Sequence, residues 1–273
     1  MKRILISNDD GIDAPGIRAL YDEISRIANV TLVAPTSQRS GIGHAISLWN
    51  NLTLEERKTN GNIWGYGLEG TPADCVKFAV TTLMKEPPHL VISGINRGQN
   101  VGNSIFYSGT VAAAAEGTMF GFPSIAVSLG TFDDNVARYD VAARFTARIA
   151  NLILVKGLPA GVLLNINIPN VSDEEIKGVV ISKQGQSTFT DLFEPRERHN
   201  GLPAFRNIGG EITKSNGDED YDDLVLAQNK ISITPLRFDL THHDLREDLD
   251  RWMRKHVEDE IFELSRIKPN PQT

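Results

Sequence analysis

Short apolar runs alternate with helix-length segments over the first 170 residues of the chain. The runs are RILIS (3–7), VTLVAP (30–35), HLVIS (89–93), PSIAVSL (123–129) and VLLNINIP (162–169). Helical patterns occupy residues 15–27, 73–84, 110–120 and 135–155. Near-continuous apolar strands that alternate with helices are typical of βαβ units whose sheet is covered on both faces. The alternation therefore predicts an α/β fold with a mostly parallel sheet.

The last third of the chain has a different character. GVVISKQGQ (178–186) and KISITPL (230–236) have the composition of strands, and a polar, loop-rich stretch separates them. A charged helix is predicted from His243 onward. We therefore divide the chain into a body, residues 1–175, and a C-terminal part, residues 176–273. The C-terminal part is predicted to add a hairpin and a helical tail, an arrangement suited to exchange between subunits.

Charge and cysteine content argue against several classes of protein. The net charge is −7 and no Lys/Arg-rich block is present, which argues against binding to a nucleic acid duplex through its phosphates. Cys75 is the single cysteine, so an internal disulfide is impossible, and a reducing cytoplasm is expected. Because no apolar run reaches about 18 residues, no membrane span is expected.

Three of the predicted strands end in polar, glycine-containing loops. In open α/β sheets, ligands bind at the carboxyl ends of the strands. Asp9 and Asp10 follow the first strand, and as adjacent carboxylates they repel each other unless a cation or a proton lies between them. Ser40 and Asn96, in the other two loops, could add neutral oxygens for Mg²⁺, Mn²⁺ or Ca²⁺. The alternative for the first loop is a plain Asp-Gly turn at Gly11.

A second candidate site precedes the alanine-rich helix. Ser108, Gly109 and Thr110 stand where that helix begins, so they would present free backbone N–H groups, hydroxyls and the positive end of the helix dipole. This arrangement suits a phosphate group. The alternative is an ordinary N-cap formed by Ser108 or Thr110.

The ordered set of motifs resembles that of the SurE (survival protein E) family of 5′-nucleotidases. The motifs are SNDDG, RSG, EGTPADCV, SGINRGQNVG and YSGTVAAAAEG, with ISITPL and DLT near the C-terminus. The resemblance implies a Rossmann-like three-layer α/β/α body and a phosphomonoesterase that acts on nucleoside monophosphates with one divalent metal ion, Mg²⁺ or Mn²⁺, with Ca²⁺ able to replace it in crystals. It also implies dimers or tetramers with exchanged C-terminal elements. Its metal ligands correspond to Asp9, Asp10, Ser40 and Asn96.

The C-terminal part departs from the family pattern in two places. Tyr221 stands where a threonine is expected before an aspartate, and residues 195–217 match no motif of the family. Oligomer number and substrate access are therefore less constrained than the metal site. Base preference, 5′ against 3′ position and activity on polyphosphate are not readable from the residues.

Asp9, Asp10 and Asn96 are the expected catalytic residues. The general base stays open between one of the two aspartates and His243, which would require the tail to fold back to the site. The rival functions are a nucleotide sensor without turnover and a response-regulator-like receiver. The receiver is disfavoured because Gly94 and Asn96 stand where it needs a phosphoacceptor aspartate.

The remaining polar and aromatic residues are assigned structural roles or solvent exposure, with one alternative left open at His44. The acidic run 218–223 is predicted to be a solvated loop, since it lacks the glycine and glutamate of a Ca²⁺-binding loop. Cys75 is predicted to be a core residue. His44 either lines the site or is solvated. Packing roles are expected for the tryptophans, Trp49, Trp64 and Trp252.

Overall fold

The computed structural model of the chain describes residues 1–199 and 201–256. The chain forms two compact units, Met1–Leu236 and Arg237–Thr273. Strands and helices are numbered below in chain order.

A nine-stranded sheet runs through the first unit in the order β3-β4-β2-β1-β5-β6-β7-β13-β8. Its strands are β1 (Arg3–Ser7), β2 (Asn29–Pro35), β3 (Leu54–Thr59), β4 (Asn62–Leu68), β5 (Leu90–Arg97), β6 (Ser124–Gly130), β7 (Val162–Pro169), β8 (Val179–Ile181) and β13 (Ile231–Arg237). Neighbours from β4 to β7 pair in parallel, as do β13 and β8, whereas the edge strand β3 is antiparallel to β4. The predicted mostly parallel sheet is confirmed.

Helices cover the two faces of this sheet. The helices of the first unit are α1 (Pro15–Ile24), α2 (Pro72–Phe78), α3 (Gly109–Met119), α4 (Tyr139–Lys156) and α5 (Asp222–Ala227), and α6 (His243–His256) belongs to the second unit. Helices α1 and α4 contribute to one apolar cluster with β1, β5 and β6, and α2 and α3 contribute to a second cluster. Sheet residues alternate between the clusters, Ile4 and Ile6 in the first and Leu5 in the second, as the period of a strand requires. The result is a three-layer α/β/α body.

The C-terminal strands lie where the sequence predicted them but pair differently. Residues 179–181 and 231–237 are neighbouring parallel strands of the central sheet and do not form a hairpin. The hairpin comes from the stretch between them, where β10 (Leu192–His199) pairs with β11 (Leu202–Gly209), next to the short pair β9 (Thr188–Phe189) and β12 (Ile212–Thr213). This stretch is interrupted by charges and prolines, so it lacks the apolar pattern of a sheet strand.

The second unit contains α6, which confirms the predicted helix for the residues that the structure describes; the predicted continuation past residue 256 lies outside them. Across the described chain, none of the helices combines the length and the apolar character needed to cross a membrane.

Candidate active site

The parallel strands β2, β1 and β5 bring three polar loops to one edge of the sheet. Ser7 at the end of β1 stands beside Ser93 in β5, and Ile6 stands beside Leu32 in β2. The loops that follow these strands therefore share the carboxyl edge, as the sequence predicted.

The loop after β1 is both a turn and the carrier of the acidic pair. The side chain of Asn8 donates to the carbonyl of Gly11 at 2.9 Å and accepts from its N–H at 3.2 Å. Gly11 has φ +102°, which a residue with a side chain rarely adopts. The two alternatives considered for this loop are thus compatible, because the closed turn is what holds Asp9 and Asp10 at the edge.

Asp9 is buried, with 5% of its surface exposed. The hydroxyl of Thr110 donates to its Oδ1 at 2.5 Å, and the N–H of Arg39 donates to its backbone carbonyl at 2.7 Å. Burial raises the pKa of Asp9 to about 6, the Thr110 hydrogen bond opposes that rise, and the charge of Asp10 adds to it. Helix α3 and the Ser40 loop therefore both attach directly to this aspartate.

Asp10 faces a different space from Asp9. Its Oδ2 accepts the N–H of Arg97 at 2.9 Å. Burial raises the pKa of Asp10, while this hydrogen bond and the Arg97 charge oppose the rise. It borders a recess of about 290 Å³ shared with Asp13, Asp134 and Tyr139, whereas Asp9 borders the main cavity.

The main cavity has a volume of about 500 Å³ and brings together Asp9, Ser40, Asn96 and Ser108. The amide nitrogen of Asn96 donates to the carbonyl of Gly98 at 2.7 Å, so the amide oxygen is the atom left for a ligand. Ser40 is exposed and its hydroxyl accepts from the Gln38 side chain at 2.8 Å. A cavity of this size is ordinary for a small-molecule site.

The start of helix α3 combines a cap with a tight packing contact. The hydroxyl of Ser108 accepts from the N–H of Val111 at 3.1 Å, so Ser108 forms the N-cap that the sequence offered as an alternative. Thr110 is fully buried and bonded to Asp9. A Cβ added to Gly109 would lie 2.7 Å from the Cβ of Asp9. Of these three residues Ser108 lines the cavity, while Gly109 and Thr110 pack behind it against Asp9.

Buried asparagines that sequence reasoning missed hold the loop after β5. The N–H of Asn100 donates to the side-chain oxygen of Asn167 at 2.8 Å, its side chain donates to Ser128 at 2.8 Å, and its carbonyl accepts from Asn165 at 2.8 Å. The sequence feature that could have revealed them is the pair of asparagines at alternate positions of the apolar run VLLNINIP.

The acidic run 218–223 is not wholly a solvated loop, which corrects the prediction made for it. Asp222 is completely buried at the start of α5, where it accepts the N–H of Gly185 at 2.9 Å and that of Gly102 at 3.1 Å. Burial raises the pKa of Asp222 to about 6, and its backbone hydrogen bonds oppose the rise. Only the first part, with Asp218 and Asp220 bonded to Lys183, is exposed to solvent.

The remaining candidates lie away from the main cavity or cannot be placed against it. The ring of His44 contacts Glu116 at 2.8 Å. Cys75 is fully buried, which confirms the core prediction, and burial raises the pKa of its thiol. His243 lies in the second compact unit and contacts Asp239 at 2.8 Å, so its role as a base stays a prediction. Trp64 packs on Tyr21, as expected, whereas Trp49 is almost fully exposed.

The donor atoms of the cavity suit a hard divalent cation. Among residues 1–199 and 201–256, no three His, Cys, Asp or Glu side chains cluster closely enough to hold a metal ion by themselves. The cavity instead combines the carboxylate of Asp9 with the amide oxygen of Asn96 and the hydroxyl of Ser40, while Asp10, the fourth predicted ligand, borders the neighbouring recess. The buried carboxyl of Asp9, with a pKa that burial and Asp10 both raise, is the group that a bound cation would keep ionised. Oxygen donors of this kind are those that Mg²⁺ and Mn²⁺ prefer.

Comparisons with known proteins identify close relatives over nearly the whole chain. The family model described as Survival protein SurE matches residues 4–191. A 5′-nucleotidase SurE of Moorella thermoacetica is 43% identical over 255 residues, covering 92% of this chain and 95% of the relative. A 5′-nucleotidase SurE of Syntrophobacter fumaroxidans is 39% identical over 250 residues, covering 92% and 99%. The crystal structure of the SurE protein from Aquifex aeolicus superposes with a TM-score of 0.78 at 33% identity, covering 92% of this chain and 99% of that one.

Proposed function

Because the chain belongs to the SurE family, we propose that it is a 5′-nucleotidase that hydrolyses nucleoside monophosphates to nucleoside and phosphate with one divalent metal ion. The observation that carries the proposal is a single cavity that joins Asp9, Ser40 and Asn96 to the capped start of helix α3. An oxygen-lined cation site next to a helix N-terminus is the combination that a phosphate ester needs.

The metal ligands in this proposal are the oxygens of Asp9, Asp10, Ser40 and Asn96, and the ion is Mg²⁺ or Mn²⁺. When bound, such an ion supplies positive charge to the phosphate oxygens and lowers the pKa of a coordinated water. Asp9 belongs in this set because Thr110 and the Arg39 N–H fix its position at the cavity wall. For Asp10 to join it, its Oδ1 would serve as the ligand, since Oδ2 accepts from Arg97.

The chain itself would orient the ester and stabilise charge. Ser108 lines the cavity, and Gly109 and Thr110, which pack behind it against Asp9, complete the first turn at the positive end of α3. We place the phosphate's non-bridging oxygens beside Ser108, where the positive end of the helix stabilises charge in the transition state. Asn96, which lines the same cavity, would connect the metal-binding loops to the phosphate. Water attacks phosphorus, the bond to the 5′ oxygen breaks, and a proton passes to the leaving oxygen.

Two proton transfers accompany this step: one proton leaves the attacking water and one is donated to the leaving oxygen. We assign these transfers to Asp9, Asp10 or His243. Both aspartates have a raised pKa; Asp9 lines the main cavity, and Asp10 borders the recess beside it. His243 would act only if the second compact unit brings it to the cavity. The 3′-nucleotides and polyphosphate are further candidate substrates, to be compared in the same assay.

Replacing Asp9 by asparagine tests the proposed metal site. We expect phosphate release from AMP to fall by at least about 100-fold at saturating Mg²⁺ or Mn²⁺, because a neutral amide replaces a charged ligand and the buried site cannot recover that charge from solvent. The matched control is Asp13→Asn, an exposed aspartate of the same loop that bonds Arg57 and does not line the main cavity. Near-normal turnover of the Asp9 variant would remove Asp9 from this role. A wild-type protein that binds AMP but releases no phosphate with any of the metals would instead be a nucleotide sensor.

We also propose that the chain forms a homodimer or homotetramer through its C-terminal elements, in the cytoplasm. The hairpin β10–β11 supports this, because large apolar side chains such as Phe193, Leu202 and Phe205 are more than half exposed on it. Exposed apolar patches of this kind mark protein interfaces. The cytoplasmic assignment has the support of the single, buried, free cysteine.

A further inference from the structure

The main cavity has further lining residues besides the proposed metal and phosphate ligands. They include Phe132, Phe189 and Ile212, together with the polar pair Asp191 and Asn207. A phosphate group needs none of these side chains. They are therefore available to the part of the substrate that is not the phosphate.

Phe132 is fixed to the same loop that carries Asn96. A Cβ added to Gly98 would lie 2.4 Å from the Phe132 ring, so the ring covers the backbone of Gly98 directly. Gly98 has φ +105°, and it has no side chain to push the ring away. Phe132 is nevertheless 69% exposed, so a face of its ring is accessible to a ligand in the cavity.

Phe189 is another exposed ring on the cavity wall, and its chain segment is bonded to the neighbouring part of that loop. It pairs with Ile212 in the β9–β12 ribbon and is 50% exposed. The carbonyl of Ser187, two residues earlier, accepts the N–H of Asn103 at 2.9 Å. The two rings therefore stand on segments that are both anchored to the 98–103 loop.

A polar pair lies beside the rings. The side-chain nitrogen of Asn207 donates to Oδ1 of Asp191 at 2.6 Å, and its oxygen accepts the N–H of Gly209 at 2.9 Å. These bonds fix the carboxylate of Asp191 at the cavity wall, where its other oxygen can accept from hydroxyl or amine groups. A flat aromatic ligand with hydrogen-bond donors at its edge matches this surface.

We propose that Phe132 and Phe189 are specificity-determining residues that hold the nucleobase of the substrate by stacking; this rests on the nucleotidase function proposed above. Stacking accepts every base because each has a π face, so the site favours nucleotides over simple phosphate esters without reading one base. The contribution of one stacked base to binding corresponds to about a 5- to 150-fold difference.

The test compares AMP with ribose 5-phosphate, which carries the same ester but no base. For Phe132→Ala and for Phe189→Ala, we expect kcat/KM for AMP to fall about 5-fold or more, mainly through KM, while the value for ribose 5-phosphate stays within about 2-fold. Phe132→Tyr, which keeps an aromatic face, should retain most of the preference. Phe106→Ala is the matched control, since Phe106 is also exposed, at 59%, but does not line the cavity.

Three results would overturn the inference. An equal loss on both substrates would mean that the rings shape the site without contacting a base. Unchanged kinetics with AMP, like those of the Phe106 control, would mean that the base lies elsewhere. A wild-type enzyme that releases phosphate from neither substrate would overturn the proposed function itself, and this inference with it.

Discussion

Replacing Thr110 by valine removes the hydroxyl that donates to the carboxylate of Asp9 at 2.5 Å. Valine has nearly the same shape as threonine, and Thr110 is fully buried, so the change deletes the hydrogen bond with little repacking. The pKa of Asp9 is already raised to about 6 by burial, and the Thr110 bond is the largest influence that opposes the rise. The variant therefore isolates one electrostatic contribution at the proposed metal ligand.

The strength of the Thr110–Asp9 hydrogen bond sets the expected change in the pKa of Asp9 and in metal affinity. A hydrogen bond to an ionised group contributes about 1.5–3 kcal/mol, and about 1.4 kcal/mol corresponds to one pKa unit. Losing it should raise the pKa of Asp9 from about 6 to roughly 7–8. Because a proton competes with a cation for the carboxylate, apparent metal affinity should fall roughly 2- to 10-fold at pH 7 and hardly at all at pH 9.

The assay is phosphate release from AMP at a series of Mg²⁺ or Mn²⁺ concentrations, repeated at pH 7 and pH 9. We expect the half-activating metal concentration of Thr110→Val to exceed that of the wild type at pH 7 and to approach it at pH 9. Thr110→Ser retains a hydroxyl and should follow the wild type at both values. Thermal unfolding of each variant checks that the fold is kept.

A shift of equal size at pH 7 and pH 9 would refute this reasoning, because it would show that the hydroxyl positions Asp9 without changing its protonation. A serine variant that behaves like the valine variant would refute it as well, since the hydroxyl would then be irrelevant.

Two further predictions concern the C-terminal part. Asp222 has its pKa raised to about 6 by burial, so its contribution to stability is greatest at low pH and is lost as pH rises through about 4 to 6. Chemical denaturation at pH 5 and pH 7 measures the free energy of unfolding of Asp222→Asn and of the wild type. Relative to the wild type, the value for the variant should rise by about 1 kcal/mol from pH 5 to pH 7. A difference that does not change with pH would contradict this. Replacing Phe193 and Phe205 together by serine should lower the mass found by light scattering at least two-fold, and an unchanged mass would rule the hairpin out as the interface.

The parallel core could be predicted from sequence because its strands are buried on both faces. VISGIN, for example, lies in β5, whose residues are buried from Leu90 to Asn96. The edge pair β3–β4 was missed for the opposite reason. In LEERKT every residue is at least partly exposed, so the segment has no apolar run to mark it as a strand. Its pairing is decided by contact with β4 at the edge of the sheet, which a local pattern does not show.

The candidate site, like the fold, could be predicted from the sequence only in part. That loops after parallel strands converge is a rule of topology, so Asp9, Ser40 and Asn96 could be brought together from sequence. The orientation of side chains could not, and the structure turns Asp10 to a different recess from Asp9. The burial of Asp222 was equally hidden, because its partners, the N–H groups of Gly102 and Gly185, lie 120 and 37 residues away in the chain.

The small residues of α3 explain how the start of this helix, the proposed phosphate site, comes so close to Asp9. A Cβ on Gly117 would lie 2.7 Å from the hydroxyl oxygen of Ser124 and 2.8 Å from Val91, so the helix rests on β5 and β6 at a distance that only glycine permits. The alanines between the two glycines are buried on every side. At the N-terminal end of α3 the contact is equally close, because a Cβ on Gly109 would lie 2.7 Å from the Cβ of Asp9. A larger residue at either glycine would move α3 outward and lengthen the Thr110–Asp9 contact, so the proposed metal and phosphate sites depend on one helix-to-sheet distance.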